Sequence, residues 1–203
     1  MAIDLVTITS GDGSQGFVLQ GDTPRDQSGH SVASAGDVNG DGFDDLIVGT
    51  RYGDGPADGR PYAGDSYVIF GKAGGFAATI DLATITSGDG SQGFVLQGED
   101  AFDFSGTSVA SAGDVNGDGF DDLIVGAPYA ERPVDGRPDA GDSYVIFGSA
   151  TIGGSTSAVT QAGTGASETL NGDGTANCKR RRENPSLKRP ESLVAPEQKC
   201  LGR

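Results

Sequence analysis

The chain has 203 residues, of which 35 are Gly, 9 are Pro and none is Trp, and 35% of it is apolar. No amphipathic helical period is sustained, and no apolar run nears the ~18 residues of a spanning helix, so long-helix and membrane-helix classes are excluded. The net charge of −15 divides into an acidic body, net −20, and a basic segment at residues 177–203, net +5; such a body repels phosphate backbones, which argues against nucleic-acid binding, and attracts cations.

The first residues, MAIDLVTIT, lack a basic region followed by an apolar stretch, so they do not read as a secretory signal peptide. From there the chain is organised by an internal repeat. TSGDGSQGFVLQG at residues 9–21 recurs unchanged at 86–98, residues 31–49 recur at 108–126, and AGDSYVIFG at 63–71 recurs at 140–148. Every match lies at an offset of 77 residues, without insertion. The copies differ in two windows: DTPRDQSGH (22–30) against EDAFDFSGT (99–107), and TRYGDGPAD (50–58) against APYAERPVD (127–135). Both are rich in Gly, Pro and charge and read as loops.

Each repeat predicts four short strands in the order SVASAG, DDLIVG, DSYVIFG and then GFVLQG from the following stretch. The triplets Leu46-Ile47-Val48 and Val68-Ile69-Phe70 are β-branched or aromatic and bounded by Gly and Asp, as in strands buried on both faces. Turn signals fall at NGDG, at the Gly/Pro loops and at SGDG. Four strands per 77-residue unit, repeated, predict an all-β fold of propeller blades or solenoid turns. The repeats occupy about residues 22–98 and 99–148 of a body at 1–148, and residues 3–21 supply a strand of a preceding blade or a closing strand. Residues 149–177 read as a Gly/Ser/Thr-rich linker, and 178–203 as a basic disordered tail. Both cysteines, Cys178 and Cys200, lie in that tail, so no disulfide framework holds the body.

The candidate site is DVNGDGFDDLIVG, which begins at Asp37 and again at Asp114. Positions 1, 3, 5 and 9 are Asp37, Asn39, Asp41 and Asp45 in one copy, and Asp114, Asn116, Asp118 and Asp122 in the other. Phe43 and Phe120, at position 7, can offer carbonyl oxygens. Gly40 and Gly42 let the backbone fold tightly between the acids. Five oxygens plus water meet the six to eight that Ca²⁺ takes. Two carboxylates ~4 Å apart repel by about 4 kcal/mol at an effective dielectric of ~20, so three converging ones call for a cation. An all-oxygen set suits a hard ion rather than zinc, and a flexible loop suits Ca²⁺ better than Mg²⁺. The competing reading is a hairpin turn with solvated acids, since Asn-Gly and Asp-Gly are strong turn formers. Two copies with a matching position 9, each leading into a strand, favour the metal, with two ions expected, one per repeat. An EF-hand is excluded, because position 12 is Val48 or Val125 inside an apolar strand rather than a bidentate Glu.

SVASAGDVNGDGFDDLIVGAPYA followed by GDSYVIFG resembles the FG-GAP repeat of integrin α-subunit propellers and of many bacterial surface or secreted proteins. The resemblance covers roughly residues 3–148. It implies a β-propeller, usually of seven blades, with Ca²⁺ held in a hairpin loop of pattern D-x-[DN]-x-D-G-x-x-D, which maps onto the ten positions above. The GAP element is present as Gly126-Ala127-Pro128 but is Gly49-Thr50-Arg51 in the first copy; the FG element is Phe104-Ser105-Gly106 in one copy and Gln27-Ser28-Gly29 in the other. AGTGASETLNGDGTAN at 162–177 resembles the start of a repeats-in-toxin calcium region that breaks at Cys178; a frame-shifted or truncated end competes with an ordinary disordered tail.

His30 is the only histidine and faces Thr107 in the other copy, so it reads as a loop residue rather than a general base. No triad repeats. Asp44 and Asp45 are adjacent and point to opposite faces of a strand, which does not suit a glycosidase pair. The basic run at 179–182 reads as solvated tail rather than a targeting patch. The chain is therefore expected to be no enzyme but a calcium-stabilised propeller module that binds an extracellular protein or carbohydrate. The alternatives are an accessory propeller of a larger secreted hydrolase and a Ca²⁺-dependent carbohydrate binder. Two repeats cannot close a propeller of four to eight blades, so self-association or further blades in a longer chain are expected. Placement outside the cell would need an export signal other than an N-terminal one, such as a C-terminal signal beyond residue 203.

Overall fold

A computed structural model describes residues 4–55, 59–131 and 139–153. The chain divides into units at residues 1–160 and 161–203, and all described residues belong to the first. The expected linker beyond residue 153 and the basic tail, with both cysteines and the repeats-in-toxin-like segment, lie outside the described residues.

The fold is all-β; among the described residues it has two antiparallel sheets, one parallel pair of short strands and two short helices. In chain order the elements are α1 (Leu5–Thr9), β1 (Val18–Gln20), β2 (Ser31–Gly36), β3 (Asp45–Thr50), β4 (Asp65–Ile69), β5 (Thr79–Asp81), α2 (Ala83–Thr86), β6 (Gly93–Gln97), β7 (Ser108–Gly113), β8 (Asp122–Ala127) and β9 (Asp142–Ile146). The first sheet runs β2-β3-β4-β6 and the second runs β7-β8-β9. Every neighbouring pair in them is antiparallel. The four strand segments of the sequence reading thus form one sheet in chain order. A register shift between Ser34 and Gly36, repeated between Ser111 and Gly113, breaks the ladder just before each acidic loop. Such a bulge bends the strand and aims the turn that follows it.

The two sheets stack face to face, as neighbouring blades of a partial propeller. The period-2 alternation of β3 and β4 sends Ile47 and Val68 to one face, where they meet Val109, Leu123 and Val125 of the second sheet in a shared core with Ala35, Val38 and Phe70. Burying each such side chain contributes about 1.5–3 kcal/mol. The other face of the first sheet carries Val48, Tyr67 and Ile69, which pack with Leu82 and Ile85 and with Leu19, Phe76 and Ile80. Ile47, Val48 and Val68-Ile69-Phe70 of the first sheet are therefore buried, as a strand covered on both faces requires, but Leu46 is 36% exposed, and in the second sheet Ile124, Val145 and Phe147 are exposed because no described sheet covers that face.

Residues 4–21 do more than form a strand. The segment LVTIT folds as α1, its first turn held by the Asp4 carboxylate accepting the Val6 N–H. β1 then pairs in parallel with β5, Leu19 opposite Ile80. Neither short helix was legible, because β-branched residues dominate both and lower helix propensity.

Candidate functional site

The acidic loops occupy one end of the stacked sheets, between β2 and β3 and between β7 and β8. Asp37 organises the first. One of its oxygens accepts the N–H groups of Gly40 (2.7 Å) and Asp41 (3.1 Å), and the other accepts that of Gly42 (2.9 Å). Asn39 accepts the Asp41 N–H at 2.9 Å and donates to an Asp41 oxygen at 3.0 Å, while the other Asp41 oxygen accepts the Phe43 N–H at 2.9 Å. The second loop repeats the pattern through Asp114, Asn116, Asp118 and Phe120. Hydrogen bonds to the ionised form, chiefly from Gly119, hold the Asp114 carboxyl below the usual carboxylate range.

Position 9 plays a different part. Asp45 opens β3, is fully buried, and accepts the N–H groups of Val38 (3.0 Å) and Gly71 (2.8 Å). Asp122 repeats this with Val115 and Gly148, both at 2.9 Å. Each aspartate thus ties its loop to the end of its sheet. Burial pushes the Asp45 carboxyl up to about 6 against those two hydrogen bonds, and the charges of Asp41 and Asp37 push the same way.

The loops fit a hard cation in donor type, all oxygen, and in the crowding of negative charge around Asp45. They are closed on their own backbone amides, and no three carboxylate, imidazole or thiolate groups converge at ion-binding distance among the described residues. Holding an ion would require Asn39 and Asp41 to give up the bond between them.

The loops also interlock across the sheets. The Asp37 N–H donates to an Asp121 carboxylate oxygen at 2.9 Å, and the Asp121 N–H donates back to the Asp37 carbonyl at 3.1 Å. Gly36, at φ 71°, lies against the Asp121 carboxylate, and Gly40, at φ 77°, lies under the Phe120 ring, so neither position has room for a Cβ.

The opposite end of the sheets carries a cluster that sequence reasoning missed. Tyr52, Tyr62, Phe102, Phe104 and Tyr129 form one chain of ring contacts. Tyr52 meets Tyr62 at 5.4 Å and Phe104 at 5.7 Å, Tyr62 stacks on Phe104 at 6.0 Å and meets Phe102 at 5.7 Å, and Phe104 meets Tyr129 at 5.4 Å. The Arg51 guanidinium sits 4.4 Å over the Tyr52 ring. Tyr62, Phe102 and Tyr129 remain exposed. Tyr62, Phe102 and Phe104 have positive φ, and so do Arg25 and Gln27, which precede Phe102 and Phe104 by one repeat, and Asp139, which follows Tyr62 by one. The left-handed backbone belongs to the repeat, and the aromatic identity to this surface. A usable signal was present, because all five rings fall in or beside the windows where the copies differ. His30 lies at the edge of this end, its ring 3.5 Å from the Arg51 guanidinium.

The FG-GAP repeat family matches residues 28–69 and 105–146. The chain carries two FG-GAP repeats. Integrin alpha pat-2 of Caenorhabditis elegans is 41% identical over 125 residues, covering 60% of this chain and 9% of that protein. Integrin alpha-5 of Xenopus laevis is 31% identical over 126 residues (61% and 11%), and integrin alpha-IIb of Mus musculus is 34% identical over 131 residues (64% and 11%). The chain thus spans about a tenth of the length of the curated relatives it matches. The matched windows take in both acidic loops and β2–β4 and β7–β9, and of the aromatic cluster they include Tyr52, Tyr62 and Tyr129.

Proposed function

We propose that this chain is a non-enzymatic, calcium-stabilised FG-GAP module that binds an extracellular protein or glycan. Ca²⁺ is structural, one ion per repeat, taken by Asp37, Asn39, Asp41, Asp45 and the Phe43 carbonyl, and by Asp114, Asn116, Asp118, Asp122 and the Phe120 carbonyl. The ion would neutralise each loop and fix the turn between the first two strands of a blade. Weak sites of this kind suit the millimolar Ca²⁺ found outside cells. The integrin relatives support a role in adhesion.

The observation that carries the binding role is the exposed aromatic cluster with Arg51, at the end of the sheets away from the acidic loops. Flat rings with few rotatable bonds offer contact area at low entropic cost, to sugar rings and protein side chains alike. The test is binding to a glycan array and to immobilised extracellular-matrix proteins, comparing the unmodified chain with Phe102→Ala. The variant should lose binding while its unfolding curve stays in place, because Phe102 is exposed. Equal binding by both chains would remove the cluster from the proposal.

A further inference from the structure

The second sheet repeats the first three strands of the first with one change, Ala127 for Thr50, but among the described residues it has no fourth strand and no sheet on its far side. Ile47, Val68 and Phe70 are 0%, 0% and 8% exposed, whereas their repeat partners Ile124, Val145 and Phe147 are 37%, 46% and 52% exposed. The reverse holds on the far face of the first sheet. Val109 and Leu123 are 6% and 0% exposed at the interface, while Val32 and Leu46 are 66% and 36% exposed. Among the described residues there is therefore one complete sheet-to-sheet interface, and its two halves recur at the ends of the stack, one open at Ile124, Val145 and Phe147 and the other open at Val32 and Leu46 beside the part that Leu19, Leu82 and Ile85 cover.

The glycines tell the same story. A Cβ at Gly36 or Gly40 would strike Asp121 or Phe120, yet at Gly113 and Gly117, the same positions one repeat later, it would meet nothing within 4 Å. Asp44 and Phe43, the counterparts of Asp121 and Phe120, are exposed.

The missing strand is also present. β6 and β1 share the sequence GFVLQG, and β4 and β9 share DSYVIFG. Among the described residues β9 pairs only with β8, and β1 only with β5. β1 already lies on the first sheet as β6 lies on the second: Leu19 packs with Val48, Tyr67 and Ile69, and Leu96 packs in the core that holds Val125 and Ile146. Its free edge is the right one. Backbone groups of alternate strand residues point to opposite edges. In β1 the Val18 N–H and the Gln20 carbonyl face β5, through Ala78 and Leu82, each at 2.9 Å, so Phe17, Leu19 and Gly21 face the open edge. In β6 the counterpart residues face β4: the Gly98 N–H donates to the Gly64 carbonyl at 2.7 Å, and the Phe70 N–H donates to the Gln92 carbonyl at 3.0 Å.

We propose that this chain assembles head to tail with a second copy of itself, β9 of one copy pairing antiparallel with β1 of the next. The register copies that of β4 with β6, so Tyr144 lies opposite Val18 and Ser143 opposite Leu19. The sheet carrying Ile124, Val145 and Phe147 then covers Val32 and Leu46 of the next copy, and its open loop at Gly113 and Gly117 receives Asp44 and Phe43. The contact is heterologous, so it propagates until it closes. Two to four copies give the four, six or eight blades of a closed propeller. The proposal is independent of calcium.

Sedimentation velocity of the full chain across micromolar concentrations should show mass-action growth from monomer to one closed species. Phe147→Asp, which alters an exposed side chain, should weaken association by about 30-fold or more, as loss of a central interface residue does. Val18→Cys and Tyr144→Cys, made in separate chains with Cys178 and Cys200 replaced by Ser, should form a disulfide dimer when mixed and oxidised, and neither should do so alone. A chain that stays monomeric throughout overturns the proposal. So does a cross-link within either single variant alone, which would mean a symmetric contact.

Discussion

Ile47 and Ile124 are the same residue at the same position of two repeats, so substituting each in turn isolates the effect of stacking. Ile→Ala removes three carbons, worth about 0.8 kcal/mol each when buried, and leaves a cavity where the surroundings cannot collapse. Ile47 is fully buried between the sheets, so Ile47→Ala should cost about 3 kcal/mol or more. Ile124 keeps 37% of its surface in water, so about two thirds of the transfer free energy is at stake and solvent fills the gap, giving about 1.5 kcal/mol. The assay is urea unfolding at a concentration where the chain is monomeric, read as a midpoint shift at unchanged slope. The midpoint for Ile47→Ala should fall about twice as far. Equal losses at both positions would refute the face-to-face stacking, because without it both side chains would stand on an open sheet face.

Two further outcomes follow from paired or buried groups. Gly36→Ala and Gly113→Ala both place Ala at positive φ, 71° and 68°, but only the first drives a methyl into Asp121; Gly36→Ala should therefore lower the thermal midpoint clearly more than Gly113→Ala, and equal shifts would deny the interlocked loops. Burial, foremost, pushes the Asp65 carboxyl from its ordinary value of 3.8 up to about 6, with the Asp22 charge adding to it. The folded state holds that proton more tightly than the unfolded one, so this group's contribution is intact below about pH 4 and is lost as pH rises through about 6. A shift of about two units corresponds to about 3 kcal/mol. Asp65→Asn should then stabilise the chain at pH 7 by a few kcal/mol and not at pH 3.5, and an unchanged difference between the two pH values would contradict the assignment.

Much of the fold was readable because the strands are local objects. Leu46-Ile47-Val48 between Asp and Gly reads as a strand, and the 77-residue offset fixes which strands recur. The acidic loops were legible for the same reason: their residues are neighbours, and Asp45 at position 9 starts β3 as its spacing requires. What the pattern of residue types missed is that Asp37, Asp41 and Asp45 each have a separate set of backbone amides to hold. The helices escaped because five residues such as LVTIT carry no usable period. The parallel pairing of β1 with β5 and the five-ring cluster escaped for a different reason. Both join segments distant in sequence, such as Tyr52 and Tyr129, that only sheet stacking brings together. Alternation along a strand likewise cannot tell Ile47 from Ile124, since burial there depends on whether a neighbouring sheet is present.

Calorimetric titration of the chain with Ca²⁺ tests the account most directly, run beside the Asp114→Asn variant. The account predicts saturable binding of two ions per chain, with affinity on the order of 10⁻⁴–10⁻³ M, and of one ion in the variant. It also predicts that saturating Ca²⁺ at about 100-fold over Kd raises unfolding free energy by about 2.7 kcal/mol per site relative to chelator. No saturable heat, with identical unfolding in Ca²⁺ and in chelator, would contradict it and leave the acidic loops as self-capped turns.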